Sequence, residues 1–276
     1  MHRTVIKTLF LVTLAFAPVS VSAEINVRDV ARKIASSLSQ KHDQAKTVLL
    51  QTSANQAFND YFTVNDPAKK RAAKDVIDKV MLDVSRIHNA GEMCLIGAGG
   101  PELARVQGGH IAHDLDPNET DNEFFGPAMA QEPKSVYVAH PYISHDAEKW
   151  VIAYATPIAF SGQTRAILHY EMSLKFYQDI LRQGDEAQAH IMLISSDGWI
   201  LGDNRTEISV DQVGEKNKPE AYFKKFKLYS LDLDGLKNKL RGGVGRLGPD
   251  DKAVSVAWHA VPGDATVVVV EDPVKR

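Results

Sequence analysis

Cysteine is almost missing from this chain. Cys94 is the only one in 276 residues, so no internal disulfide can form, even in an oxidising compartment. It also leaves no thiol near the N-terminus for lipid attachment. Long hydrophobic runs are missing too. The longest, Thr8 to Ala17, is about half of the ~20 residues that span a bilayer. Near the other end, Val267 to Val270 is closed by Glu271 and Asp272. An excess of positive charge is absent as well: 32 Lys and Arg face 35 Asp and Glu, for a formal charge of −3, which argues against nucleic acid as a partner. No low-complexity segment breaks the chain.

What is present begins with a leader pattern. His2, Arg3 and Lys7 precede the Thr8 to Ala17 run, and Pro18 and Val21-Ser22-Ala23 follow it before Glu24. That is the order of a secretory signal peptide over residues 1–23, cleaved before Glu24. The expectation is an exported, soluble, periplasmic protein, two charges more acidic once Arg3 and Lys7 are gone. The mature length suits two domains.

Residues 24–64 read as one long helix, because Val27, Ala31, Ile34, Leu38, Ala45, Leu49 and Thr52 recur at spacings of three and four. Asn26 with Asp29 makes an N-cap pair, while Lys41-His42 interrupts the stripe. A narrow stripe of this kind packs along its own domain or forms the seam of a homodimer. A second helix starts at Asp66-Pro67 and carries Ala73, Val76, Ile77, Val80, Met81, Val84 and Ile87 on one face, ending at Asn89-Ala90-Gly91.

From there the period changes to two. Met93 to Ala98 and Leu103 to Val106 read as strands about Gly99-Gly100-Pro101, and Asn118 to Ala130 as a helical connection. Ser135 to Ser144, Lys149 to Phe160 and Thr164 to Leu174 read as longer strands, the last two joined by Ser161-Gly162. A short helix to Arg182 leads to Gln183-Gly184-Asp185, the best boundary in the chain. Residues 65–184 then form a larger module and 185–276 a smaller one. In the smaller one, strands at His190 to Ser195 and Trp199 to Leu201 flank Asp197-Gly198, Pro219 to Phe226 and Leu236 to Leu240 are helical, and strands Ala253 to Ala260 and Ala265 to Val270 meet at Pro262-Gly263-Asp264. The fold class is α+β: antiparallel sheets with helices.

This order of parts resembles the double Cache, or PAS-like, extracytoplasmic sensors. The residues that carry the resemblance are Phe124-Phe125-Gly126-Pro127, Val136-Tyr137-Val138, Pro141-Tyr142-Ile143-Ser144, the run Lys149 to Ile158, Ile167 to Met172, and Ile194 to Leu201. The resemblance implies a distal module that binds an amino acid, amine, carboxylate or other small metabolite, no enzymatic activity and no cofactor. It also implies output through a membrane receptor, kinase or cyclase. Such sensors usually sit between two membrane spans, so this chain is expected to signal through a separate partner.

A pocket for a small polar ligand needs an apolar wall and a few aimed polar groups. Trp150 and Tyr154 share one strand face with Ile152 and Thr156, His169 shares one with Glu171, and Tyr137 and Tyr142 lie on a neighbouring strand. If the concave face of the sheet binds, these groups converge. In relatives that bind amino acids and amines, an acidic residue on the strand matching Thr164 to Leu174 holds the ammonium, which the resemblance places at Glu171. Tyr and Trp rings add cation–π attraction, and Arg105 offers a bidentate clamp for a carboxylate. Each has a plainer reading: a strand-end ion pair for Glu171, sheet packing for the tyrosines, and a surface position for Arg105.

Other motifs fail on their own chemistry. Gly243-Val244-Gly245-Arg246-Leu247-Gly248 fits a dinucleotide pattern but runs into Pro249-Asp250-Asp251 instead of a helix. Asp232 and Asp234-Gly235 suggest a calcium loop, but Arg241 stands where a glutamate is needed. Ser144-His145-Asp146 are consecutive and cannot form a relay. His110, His113, Asp114 and Asp116 match no standard metal spacing. Two further readings stay open: an exported metal-dependent hydrolase using the histidines between His110 and His145, and a ligand-free structural adaptor of a membrane complex.

Overall fold

The structure is a computed structural model, and it describes residues 26–88, 91–144, 149–184, 189–195, 200–206, 243–247, 254–261 and 265–271. The leader and the helices expected at Pro219 to Phe226 and Leu236 to Leu240 lie outside the described residues, as do Asp197-Gly198 and Pro262-Gly263-Asp264.

The N-terminal helical segment is two helices, not one. Helix α1 runs Val27–Ser53 and α2 runs Gln56–Thr63. The break has a local cause: the Asn55 side chain accepts the N–H of Ala57 at 3.0 Å and caps a new helix. At the other end, Asn26 accepts the N–H of Asp29 and caps α1. The stripe is broader than the sequence suggested, because His42 is buried within it. Helix α3, Pro67–His88, is capped by Asp66, which accepts from Ala68 and Lys69. Its buried line is Ala73, Ile77, Met81 and Ser85, spaced by four. Val76 and Ile87, expected on the apolar face, are 47 % and 74 % exposed. Val76 is one residue from the buried line, about 100° around the helix, and Ile87 is two residues past Ser85, about 200° around it.

Seven strands follow in one antiparallel sheet: β1 Glu92–Gly97, β2 Glu102–Gln107, β3 His110–Ile111, β4 Tyr137–Val138, β5 Tyr142–Ser144, β6 Lys149–Phe160 and β7 Gln163–Ser173. The order is β3-β2-β1-β7-β6-β4, and β5 also pairs with β6. The expected strand from Ser135 to Ser144 is thus two short pieces laid in series along β6. Pro141, which has no N–H to give to the ladder, lies in the gap. The expected helical connection shrinks to α4, Phe125–Met129. Ser161 and Gly162 both have positive φ, 49° and 76°, the signature of the type I′ turn that a two-residue hairpin favours.

Helix α5, Leu174–Arg182, leads to a second antiparallel sheet of β8 Ala189–Ser195, β9 Ile200–Asp203, β10 Gly243–Leu247, β11 Val254–Val261 and β12 Ala265–Glu271. Its order is β10-β11-β12-β8-β9. The glycine-rich segment at Gly243 is strand β10, paired with β11, which agrees with its rejection as a phosphate loop. Gly184 sits at the passage between sheets, where a Cβ would fall 2.3 Å from Ile191 Cδ1 and would require that buried side chain to move. Helix α1 touches β6 and β7 of the first sheet and β11 and β12 of the second. One apolar cluster joins Leu38, Leu49, Tyr154, Leu168, Leu193 and Ala257 across these elements.

β6 is buried from Trp150 to Ile158 and β7 from Ala166 to Met172. Both faces of the central strands are therefore covered, as in a sheet sandwiched between layers. The helix face packs on α1. The opposite face is roofed by Phe124, Phe125 and Ala128.

Candidate functional site

The two faces are assigned by register. Tyr154 lies opposite Tyr170, Ala153 opposite Glu171, and Ala155 opposite His169. Residues directly opposite share a face, so Trp150, Ile152 and Tyr154 join Tyr170 and Met172 against α1. His169 and Glu171 point to the roofed face. The expected convergence of Trp150 and Tyr154 with His169 and Glu171 is therefore corrected: the sheet separates them.

A bulge is the cause. Ala159 pairs with Thr164 but Ile158 pairs with Ala166, leaving Arg165 as an extra residue on β7. Continued without that step, the register begun at Phe160 and Gln163 would put Tyr154 opposite His169 and Ile152 opposite Glu171. One inserted residue reverses which side chains meet. A similar step on β2, between Ala104 opposite Leu95 and Glu102 opposite Ile96, sets Glu102 and Arg105 on the roofed face.

On that face the structure brings Tyr142, His169 and Glu171 into contact. The Tyr142 hydroxyl donates to Glu171 Oε1 at 2.5 Å and lies 3.1 Å from His169 Nε2. A phenol has one proton, so with it given to Glu171 the imidazole must donate through Nε2. The lone pair of His169 is then on Nδ1, a buried nitrogen with no hydrogen-bond partner. Burial pushes the His169 imidazole down to about 3, so it is neutral. Burial first, then the Glu171 charge, pushes the Tyr142 phenol well above its usual range. Phe124 lies flat on His169, with centroids 4.2 Å apart and planes 3° from parallel, and it also stacks on Tyr142. Tyr137 is half-buried at the rim of this cluster.

Next to them stand two residues that the sequence reading missed. Glu92 and Cys94 are two apart on β1, and each faces β7 directly: Glu92 opposite Glu171 and Cys94 opposite His169. The Cys94 thiol donates to Glu92 Oε1 at 3.0 Å. Burial, then the neighbouring Glu92 and Glu102 charges, pushes that thiol well above its usual range. The signal was present in the sequence: a glutamate and the sole cysteine alternating within an otherwise apolar strand.

Arg105 is not at the surface. It is 3 % exposed, opposite Cys94, and its guanidinium pairs with Glu102 at 3.2 Å and Asp114 at 2.9 Å and donates to the Asp114 carbonyl at 2.7 Å. Those acceptors tie the β2–β3 edge together, and they hold two guanidinium nitrogens that a ligand carboxylate would need. Tyr154, on the helix face, donates or accepts at His42 Nδ1 (2.6 Å) and at Tyr177 (2.8 Å), and Tyr177 reaches His42 Nε2 at 3.3 Å. This triad joins α1, β6 and α5. Burial lowers the His42 imidazole to about 4, with Lys46 adding to the effect and Asp43 opposing it.

The histidine segment named for a hydrolase does not assemble. Among the described residues, His110, His113 and His140 are exposed, and Asp114 is engaged by Arg105. His145 lies outside the described residues. A cavity of about 400 Å³ opens elsewhere, between the α1–α2 junction and the end of β6, with Phe58, Phe62, Lys134 and Phe160 in its walls. It carries no acidic group and none of the expected site residues.

At the level of sequence no protein-family model matches the chain, and no curated protein is significantly similar to it. Solved structures are. The sensory domain of the Campylobacter jejuni chemoreceptor Tlp3, with isoleucine bound, superposes with a TM-score of 0.67 at 13 % identity, over 90 % of this chain and 91 % of that one. The fold is that of a double Cache sensor domain. The ligand-binding domain of the Pseudomonas fluorescens chemoreceptor CtaA, in complex with L-isoleucine, gives 0.56 at 17 % identity over 89 % and 90 %. An extracellular domain assigned to a histidine kinase, vpHK1S-Z8, gives 0.68 at 12 % identity over 88 % of each. No helix among the described residues is long and apolar enough to cross a membrane.

Proposed function

We propose that this double Cache chain is an exported, periplasmic sensor that captures a small metabolite bearing an ammonium group. Binding takes place at the roofed face of its first sheet, and a membrane receptor or kinase partner reads the result. The observation that carries the proposal is the enclosed Tyr142, His169 and Glu171 cluster under Phe124. A carboxylate taken out of water is stabilised only by a charge or hydrogen bonds of matching geometry, and an alkylammonium offers both. The similar structures support the reading in kind, since two of them are chemoreceptor domains with isoleucine bound. An entering ligand displaces the Phe124 ring from the imidazole and shifts α4, and that change of population is the signal. The reading is non-enzymatic, with the one imidazole of the cluster, His169, buried and neutral.

The test is a thermal-shift screen of the purified full-length mature protein against amino acids, primary amines and carboxylates. An amine-bearing compound should raise the Tm, and Glu171→Gln should remove that rise while leaving the unliganded Tm within a few degrees. A rise that persists in Glu171→Gln, or one given by carboxylates lacking an amine, places recognition elsewhere. No rise with any compound favours the adaptor reading.

A further inference from the structure

The β1 side of the roofed face adds Glu92 and Cys94, which amine recognition does not use, to His169, which it does. Glu92 and Cys94 alternate on β1 and so point to the same side, and His169 stands directly across the ladder from Cys94. Each offers one ligand atom, and these atoms all lie within 4.8 Å of one another. The three residues are 3 %, 1 % and 2 % exposed. His169 adds an independent sign, the buried Nδ1 that meets no hydrogen-bond partner.

We propose that Glu92, Cys94 and His169 form a binding site for a borderline-soft divalent transition-metal ion, Zn²⁺ foremost. The donor set decides the class of ion. A thiolate with an imidazole suits zinc and its neighbours, whereas Mg²⁺ and Ca²⁺ take oxygen ligands almost alone. Bond lengths of about 2.0–2.3 Å around zinc separate tetrahedral donors by roughly 3.3–3.8 Å. The present separations close to that with side-chain rotation of about 1 Å on a fixed β1–β7 ladder. Binding replaces the S–H proton of Cys94, which leaves to solvent, and the thiolate with the Glu92 carboxylate then balances the double positive charge. The sequence alone did not point to this site, because Glu92 and Cys94 lie more than seventy residues from His169 and only the register unites them. The metal site shares His169 with the amine cluster but does not rest on that reading, and the metal titration and the amine screen can fail separately.

The test is titration of the mature protein, free of any histidine tag and stripped with a chelator, with Co²⁺ and then Zn²⁺. One Co²⁺ per chain should bind, giving a near-ultraviolet thiolate-to-cobalt charge-transfer band and intense visible bands of tetrahedral cobalt, all bleached by Zn²⁺. In Cys94→Ser the charge-transfer band should vanish, and in His169→Gln and Glu92→Gln the ion should bind far more weakly, with circular dichroism showing each variant folded. Folded wild-type protein that develops no charge-transfer band overturns the proposal. So does uptake unchanged in the variants, which would put the ion on exposed His110 or His113. The wild-type titration decides alone where a variant fails to fold. Amine-induced stabilisation by the metal-stripped protein bears on the sensor reading and not on this one.

Discussion

The two faces of the first sheet are built from the same strands and differ in kind. The helix face is mostly apolar, and its buried His42, Tyr154 and Tyr177 triad hydrogen-bonds within itself and ties three elements together. The roofed face gathers Glu92, Cys94, Glu102, Arg105, Tyr142, His169 and Glu171 under a short, five-residue helix and one aromatic ring. Packing that is complete resists change, while groups stacked under a thin cover can be re-partnered by something that enters. In this sheet, side-chain parity divides the packed helix face from the face proposed for recognition, and the bulge at Arg165 sets the parity.

The largest effect should follow from emptying the helix face. Tyr154→Ala removes a buried ring and strands two hydrogen-bond partners, and denaturant titration should show a loss of about 3–5 kcal/mol. Deleting Arg165 should do far less, because it removes the extra residue and leaves Ile158 opposite Ala166 and Tyr154 opposite Tyr170. Thermal unfolding of that variant should stay cooperative, and its loss would show that the bulge itself, and not the register beyond it, holds the sheet.

The helix face also predicts a pH dependence. His42 titrates near 6.5 in the unfolded chain and at about 4 when folded, so between those values the unfolded chain takes up a proton that the native triad refuses. Stability should be full above pH 6.5, fall by on the order of 3 kcal/mol as the pH drops to 4, and then level off as far as His42 is concerned. His169 adds to the decline over a wider span, down to about 3. Denaturant melts of His42→Gln across this range should show a shallower slope, and an unchanged slope would place the titration elsewhere.

Much of the fold was legible in the sequence because local chemistry dictated it. Asn26 and Asp66 cap helices where side-chain oxygens precede apolar periodicity, and Ser161-Gly162 makes the turn its positive φ values demand. The α1–α2 break hid in a run that kept its helical spacing, and only the Asn55 cap marks it. The site was half legible. Alternation put His169 beside Glu171, but no local signal tells which residues of another strand share their face. A single bulge residue moved Trp150 and Tyr154 to the far side, and Arg105 was taken up by Glu102 and Asp114 from segments whose approach the sequence does not reveal.

The central claim, that recognition belongs to the roofed face alone, is tested most directly by following the histidine ring nitrogens. In ¹⁵N spectra of the mature protein titrated with L-isoleucine or with whichever amine raises the Tm, the His169 nitrogens should shift as Phe124 leaves its ring and Glu171 gains a cation, while those of His42 stay in place. Movement of His42 with His169 unmoved would contradict the account and put the ligand on the helix side of the sheet.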